Sequence, residues 1–249
     1  MPTLAITQAR LESTRLPGKV LLKIGEETLL SYQIKRLKLS SKIDKIIVAT
    51  SIKPSNNAIE TECHRLNIDC FRGSEDDVLD RYYKCSLVYP EYNQIIRLTA
   101  DCPLVDPKVI DNMILFFENN HLDYTWNVGH NQNSFPDGLD ADIFTKNALA
   151  IAAKKAVTQF DHEHVTSFIR NSSHFKRLPF PAPKNFLHIR LTVDYPEDFE
   201  LIKYIIANSS IDASYEHYLN LLASNPAIAN LNKHITFNSK TGPNNPKNI

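Results

Sequence analysis

Short apolar runs alternate with helix-period stretches along most of the chain, and this alternation constrains the fold more than any other feature. Residues 4–6, 46–49, 94–98 and 189–193 read as strands, and residues 29–39, 58–66, 77–88, 107–119 and 199–207 read as helices. Strands separated by helices of this length imply βαβ units, a mainly parallel sheet and an α/β fold. In such sheets ligands collect at the carboxyl ends of the strands, so the loops that follow the strands are where chemistry is expected. A chain of 249 residues with 43% hydrophobic content can bury one large core. Residues 1–237 are therefore read as a single domain, and the last dozen, 238–249, which lack any apolar period, as a disordered tail.

No apolar run approaches the ~20 residues that span a bilayer, and the start, Met1 to Thr7, has neither a basic segment nor an apolar stretch. A cytoplasmic location is expected. The 28 Lys+Arg balance the 28 Asp+Glu, which argues against a general nucleic-acid or anionic-membrane binder. The balance hides an asymmetry. Residues 1–50 carry nine basic and four acidic side chains, and residues 101–142 carry eight acidic ones and a single lysine. Chance and solvated faces would account for this, as would an anion site facing a cation site. The four cysteines, 63, 70, 85 and 102, form no CxxC or zinc-type spacing and read as reduced thiols.

Glycine is scarce, with six where average usage would give about 17, so each is expected where the backbone needs it. The first strand runs into Gln8-Ala9-Arg10-Leu11-Glu12-Ser13-Thr14-Arg15-Leu16-Pro17-Gly18-Lys19. Three basic and two hydroxyl side chains share this loop with a Leu-Pro-Gly-Lys segment suited to a type II turn. Arg15 can grip phosphate oxygens as a fork and Lys19 as a point charge. The segment matches neither the Walker loop nor the Rossmann fingerprint. An exposed basic loop is the alternative, but its place after the first strand favours phosphate binding.

Asp101, just past the strand at 94–98, stands where a carboxylate would hold Mg²⁺ against a triphosphate. A helix N-cap is the other use of such an Asp, and that use suits Asp106, before Pro107. Asp194 follows the run at 189–193 and precedes Pro196, so it reads as a second Mg²⁺ ligand or as an N-cap. In the acidic segment 137–142, Asp140 and Asp142 would share one face of a strand. They could then meet one ligand, accept from sugar hydroxyls, or serve as the DxD of a glycosyltransferase. In Asp161-His162-Glu163-His164 the two histidines, two apart on a helix, are poor joint metal ligands.

The signature Ala9-Arg10…Ser13-Thr14-Arg15-Leu16-Pro17-Gly18-Lys19 resembles the N-terminal motif of the sugar-acid cytidylyltransferases, which activate 3-deoxy-manno-octulosonate and acylneuraminates with CTP. The chain is most similar to the spore coat polysaccharide biosynthesis branch of that family. The branch has segments like Thr99-Ala100-Asp101-Cys102-Pro103-Leu104, Pro136-Asp137-Gly138-Leu139-Asp140, Glu163-His164-Val165-Thr166 and Leu191-Thr192-Val193-Asp194. The resemblance runs in order from residue 9 to about 198 and leaves out the tail. Three positions depart from it: Cys102 replaces the acidic residue of the octulosonate enzymes, as in the spore coat branch, Ala100 replaces a usual Gly, and Asp142 a usual Glu.

This resemblance implies a nucleotide-diphospho-sugar transferase fold, a Rossmann-like, GT-A-like three-layer α/β/α sandwich. It also implies transfer of CMP from CTP to a sugar acid with release of pyrophosphate, Mg²⁺ as cofactor, and a homodimer. Ala9, Arg10, Ser13, Arg15, Lys19 and Thr99 would bind the nucleotide, with residues 4–9 flanking the cytosine. Arg15, Lys19 and Asp101 would be catalytic, and Asp101 and Asp194 would hold the metal. Asp137, Gly138, Asp140, Asp142 and His164 would meet the acceptor. A glycosyltransferase consuming a nucleotide sugar, or a non-catalytic nucleotide- or sugar-binding regulator on the same fold, are the rival readings.

Overall fold

The computed structural model describes residues 1–129, 133–235 and 237; the tail expected at 238–249 lies outside the described residues. The strands are β1 (Thr3–Gln8), β2 (Lys23–Ile24), β3 (Glu27–Thr28), β4 (Lys45–Ser51), β5 (Asp69–Gly73), β6 (Gln94–Thr99), β7 (Tyr124–Trp126), β8 (Asp142–Thr145) and β9 (Arg177–Pro179). The helices are α1 (Leu29–Leu37), α2 (Asn57–Leu66), α3 (Val78–Val88), α4 (Pro107–Asn119), α5 (Lys146–Lys155), α6 (Gln159–His164), α7 (Ser167–Asn171), α8 (Pro196–Ala207), α9 (Tyr215–Ser224) and α10 (Pro226–Ala229).

Seven strands form one sheet in the order β5-β4-β1-β6-β8-β7-β9, and β2 pairs with β3 apart from it. β5, β4, β1 and β6 are mutually parallel, and β8 runs antiparallel to both of its neighbours. Both faces are covered, so the parallel strands read as apolar runs rather than as alternating ones. Ala5, Val48, Ile96 and Leu98 pack on the side of α1, α2, α4, α8 and α9. Leu4, Ile6, Ile47, Ala49 and Ile95 pack on the side of α3, α5 and α7. This is the three-layer sandwich that the sequence implied. Among the described residues no helix is long and apolar enough to cross a membrane.

Local chemistry sets the helix boundaries. Asp106 caps α4, accepting from the backbone N–H of Lys108 and Val109, and Asp77 caps α3 rather than forming its first turn. α1 stops at Leu37, short of the expected 39, where the apolar face ends and Leu39 turns out to solvent. α8 begins at Pro196, ahead of the apolar period at 199–207, with acids in its first turn, and the Asp198 carboxylate reaches back to the N–H groups of Asp194 and Tyr195 at 2.9 and 3.0 Å.

One expected strand is absent. Residues 189–193 form a strap with a single bridge, between Asp137 and Arg190. The strap pairs with loops rather than with a strand: Leu191 N–H donates to Asp137 O and Val193 N–H to Asp101 O at 2.8 Å. Its apolar run arises from Leu191 and Val193 facing the core. The strap presses on Gly138, whose φ is +105°; a Cβ there would stand 2.3 Å from both Leu191 C and Thr192 N. Gly138 thus sets the distance between the acidic 137–142 segment and the strap that ends in Asp194.

Two glycines at positive φ separate crowding from backbone strain. Gly25, at φ +62° with open space around its Cβ position, should lose only about 1–2 kcal/mol on replacement by Ala, the ordinary left-handed penalty. Gly138→Ala adds a collision with main chain and should lose clearly more in urea unfolding at pH 7. Equal losses for the two variants would show that the strap yields freely.

Candidate active site

The loop after β1 is locked by its own backbone. Ser13 and Gly18 N–H both donate to Leu11 O, at 2.8 and 3.0 Å, and Leu11 N–H donates to Asn56 Oδ1 at 2.9 Å. Gly18 lies at φ 68°, ψ 11°, as a type II turn requires, and the Lys19 N–H closes the turn on Leu16 O at 3.3 Å. The short 3₁₀ turn Lys19–Leu21 then buries Val20 and holds Lys19 inward, 8% exposed.

Lys19 meets both candidate metal carboxylates at once. Its Nζ lies 2.7 Å from Asp101 Oδ2 and 2.7 Å from Asp194 Oδ1. Burial alone would raise the Asp101 carboxyl, but the adjoining ammonium and its hydrogen bond outweigh that and hold it down at about 2. Burial likewise opposes the charge of Lys19, and the two aspartates overcome it, so the net shift is upward. Arg15 Nη2 pairs with the same Asp194 oxygen at 2.8 Å, with its guanidinium over the Tyr195 ring at 4.9 Å. Asp198 supplies the cap of α8, so the N-cap alternative for Asp194 falls and its carboxylate is free to meet cations. The Asp101 loop is pinned from below by Gln33 Nε2, which donates to the carbonyls of Thr99 and Cys102. Burial pushes the Cys102 thiol well above its ordinary value, leaving it a neutral packing group.

Asp101 and Asp194 bring two hard oxygen donors to one cation position, now held by an ammonium. That donor set fits Mg²⁺, which takes one or two carboxylates together with phosphate oxygens. Among the described residues no group of three or more His, Cys, Asp or Glu side chains could hold an ion alone, so the remaining donors would come from a ligand.

A cavity of about 270 Å³ opens over these groups at the carboxyl ends of β1 and β6. Ala9, Arg10, Ser13, Arg15, Lys19, Thr99, Asp101 and Asp194 all line it, so the structure joins every nucleotide, catalytic and metal candidate named from sequence. Of residues 4–9, only Gln8 and Ala9 reach the cavity wall; Leu4, Ala5 and Ile6 are core. His164 also lines it, with the residues expected for the nucleotide rather than with the acidic segment. The turn behind it is tight: Val165, buried, sits at φ 60°, ψ −59°, and the Thr166 N–H returns to His164 O at 2.5 Å. Burial lowers the His164 pKa, and the facing Arg10 and Arg97 add to the effect against Glu163 and Asp161.

Asp137, Gly138, Asp140 and Asp142 do not line that cavity. Asp142 starts β8, but Asp140 lies before the strand, so alternation does not put the two on one face as the sequence suggested. Asp142 is taken up by Arg97 at 2.9 Å, Arg170 at 3.2 Å and the Tyr124 hydroxyl at 2.5 Å, an arrangement that leaves no DxD pair. Asp140 accepts from Gly138 N–H at 2.7 Å. Burial pushes the Asp137 carboxyl up, Asp140 adds to that, and Arg190 opposes it; burial also raises Asp140.

Sequence reasoning missed three arginines. Arg190 pairs with Asp137 at 2.8 Å, Asp194 at 2.9 Å and Asp198 at 2.9 Å. Arg97 and Arg81 line the cavity. The available signal was an Arg inside an apolar strand-like run, in Ile95-Ile96-Arg97-Leu98 and Ile189-Arg190-Leu191, since a buried Arg needs partners.

The sequence profile described as cytidylyltransferase matches residues 4–227. The chain is 38% identical over 237 residues to the spore coat polysaccharide biosynthesis protein SpsF of Bacillus subtilis (strain 168), covering 91% of this chain and 96% of that one. A cytidylyltransferase structure from Leptospira borgpetersenii serovar Hardjo-bovis superposes with a TM-score of 0.86 at 31% identity, over 92% of this chain and 97% of that one. A CMP:2-keto-3-deoxy-manno-octonic acid synthetase structure complexed with CTP shares the fold, with a TM-score of 0.62 at 15% identity over 84% and 99% of the two chains.

Arg190 offers a direct test of how the acidic edge is held. Arg190→Met should cost about 3–5 kcal/mol at pH 7, because it leaves buried carboxylates without their cation. The deficit against wild type should shrink as the pH falls and those carboxylates take up protons. Urea unfolding from pH 7 to pH 4 measures it; a loss that does not change with pH would mean that the ion pairs are not its source.

Proposed function

The chain belongs to the cytidylyltransferase family, and on that premise we propose that it transfers CMP from CTP to a sugar acid, releasing pyrophosphate, to supply surface polysaccharide or glycan synthesis. The observation that carries this reading is Lys19 bridging Asp101 and Asp194 beneath a basic, hydroxyl-bearing loop. The names of the relatives, one in spore coat polysaccharide biosynthesis and one a CMP-sugar synthetase bound to CTP, support the choice of nucleotide and of substrate class.

In this reaction the acceptor hydroxyl attacks the α-phosphorus and pyrophosphate leaves, with no covalent enzyme intermediate. Mg²⁺ held by Asp101 and Asp194 would polarise the α-phosphate and offset the charge that develops there. Arg10, Arg15 and Lys19 bind the β- and γ-phosphates, and Arg15 and Lys19 stabilise the departing pyrophosphate. The rigid loop fixes their positions before the nucleotide arrives, so catalysis rests on orientation and preset charge. The acceptor lies toward the 137–142 segment, where Asp140 accepts from sugar hydroxyls, Arg190 carries the charge that compensates Asp137, and Asp142 stays on Arg97 and Arg170.

A pyrophosphate-release screen of CTP, UTP, GTP and ATP against octulosonic and nonulosonic acids tests the reading. Turnover is expected with CTP and one acid class. Asp101→Asn keeps size and fold but should lower turnover by about a hundredfold or more. Near wild-type turnover in that variant, with Mg²⁺ present, would overturn the metal assignment. CTP binding without turnover across the panel would instead favour a binding-only role.

A further inference from the structure

The Asp194 carboxylate is set by a chain of contacts that starts in the turn after α10. Asp198 is fully buried, and donors converge on both of its oxygens. Its Oδ2 accepts from the N–H groups of Asp194 and Tyr195 and from Arg190 Nη2 at 3.0 Å. Its Oδ1 accepts from Arg190 Nε at 2.9 Å and from Asn232 Nδ2 at 2.8 Å. Arg190 Nη2 also donates to Asp194 Oδ2 at 2.9 Å. Asp194 is therefore held by its main chain through Asp198 and by one carboxylate oxygen through Arg190. Its other oxygen, Oδ1, is turned toward Lys19 and Arg15.

Asn232 is the far end of this chain of contacts. It is 3% exposed and sits in a turn where Leu231 N–H donates to Ile228 O at 3.0 Å and Ile235 N–H to Asn232 O at 2.9 Å. Leu231 and Ile228 pack on the core, which fixes the turn in place. The Asn232 amide nitrogen uses both of its hydrogens, one on Asp198 Oδ1 and one on Arg190 O at 3.1 Å. Those two acceptors belong to the two pieces between which Asp194 stands, the strap at 189–193 and the first turn of α8. The strap's backbone bonds to Asp137 use Ile189 O and the Leu191 N–H, so the Arg190 carbonyl is left for Asn232. A planar amide with two N–H bonds at a fixed angle meets both acceptors in one relative placement of strap and helix. Taking it away leaves a buried carboxylate and a buried carbonyl each short of a donor, inside a network where every member positions the next.

We propose that Asn232 is a positioning residue for the Asp194 carboxylate, holding the strap and the start of α8 at the separation that presents Asp194 Oδ1 to a metal–triphosphate complex. The inference rests on the nucleotidyl-transfer and Mg²⁺ reading above and adds the turn beyond α10 to the machinery of the site. Asn232 does not line the cavity, so it acts through Arg190 and Asp198, as the outer partners of metal ligands do.

Titration calorimetry of CTP across a magnesium series, with one arm in EDTA, separates this role from plain support of the fold. In Asn232→Ala, CTP binding in EDTA should stay at the wild-type level. The Mg²⁺ concentration at which the metal's effect on CTP affinity is half complete should rise about tenfold or more, the usual cost of removing a partner that orients a metal ligand. Excess Mg²⁺ should then recover most of the turnover. A lower unfolding midpoint with an unchanged magnesium midpoint, or a loss of CTP affinity that is equal in EDTA, would overturn the assignment and leave the transferase reading standing.

A second arm needs no variant to fold. Coupling between two sites is reciprocal, so a metal held at Asp194 must steady the turn that steadies Asp194. In wild type, adding Mg²⁺ to the CTP complex should slow amide hydrogen exchange at Leu231 and Ile235, by up to about the same tenfold factor, although neither residue lines the cavity. Exchange there that ignores the metal would overturn the proposal. Wild type whose CTP binding does not respond to Mg²⁺ would overturn the metal reading with it, and wild type that binds no nucleoside triphosphate would overturn the transfer reading itself.

Discussion

The Lys19 ammonium between Asp101 and Asp194 is the contact on which the rest of the site depends. It joins three segments far apart in sequence: the loop after β1, the turn after β6 and the strap before α8. A lysine this deeply buried needs compensating charge, and two carboxylates this close together need a cation between them. Each side therefore fixes the other, and the backbone that carries each is held separately. The Leu11 carbonyl gathers the first loop, Gln33 pins the second, and Asp198 anchors the strap.

A second cation, Arg190, organises the acidic side. It ties Asp137 in the middle segment to Asp194 and Asp198 around the start of α8. Gly138 sets how closely those segments approach, since its Cβ would enter the Leu191–Thr192 backbone. The basic front and acidic middle of the sequence are thus two sides of one cleft, joined directly by the Lys19–Asp101 pair.

Features governed by local rules were legible in the sequence. Pro17 and Gly18 specify a turn by φ alone, Asp106 before Pro107 specifies a cap, and the apolar runs of β1, β4 and β6 specify a doubly covered parallel sheet. Features set by distant partners were not. Residues 189–193 have the composition of a strand, yet their backbone pairs with Asp101 and Asp137 in loops. Asp194 carried two readings until Asp198 was seen to cap α8. Asp140 and Asp142 could be assigned to one face only by assuming a strand that begins two residues before β8 does. Arg97 and Arg190 looked like single charges within apolar stretches and Arg81 like an ordinary helix charge beside Asp80, and their roles depend on which carbonyl or carboxylate the fold brings near.

Asp142 shows how one such distant contact links the two sides of the cleft. Its carboxylate ends the acidic segment and holds Arg97, which lines the cavity over Lys19, together with Arg170 from α7 and the hydroxyl of Tyr124. Burial opposes the charge of Arg97, and Asp142 restores it. With Arg97 and Arg170 both on one carboxylate, a shift of the 137–142 segment moves the electrostatic balance at the cavity wall. The pair is shielded from water, where such a shift is felt more strongly than at a surface. The acidic segment and the cavity wall are therefore coupled through a fixed charge pair. Position 142, one of the acceptor contacts that the resemblance implied, thus serves that link and presents no open carboxylate to a sugar.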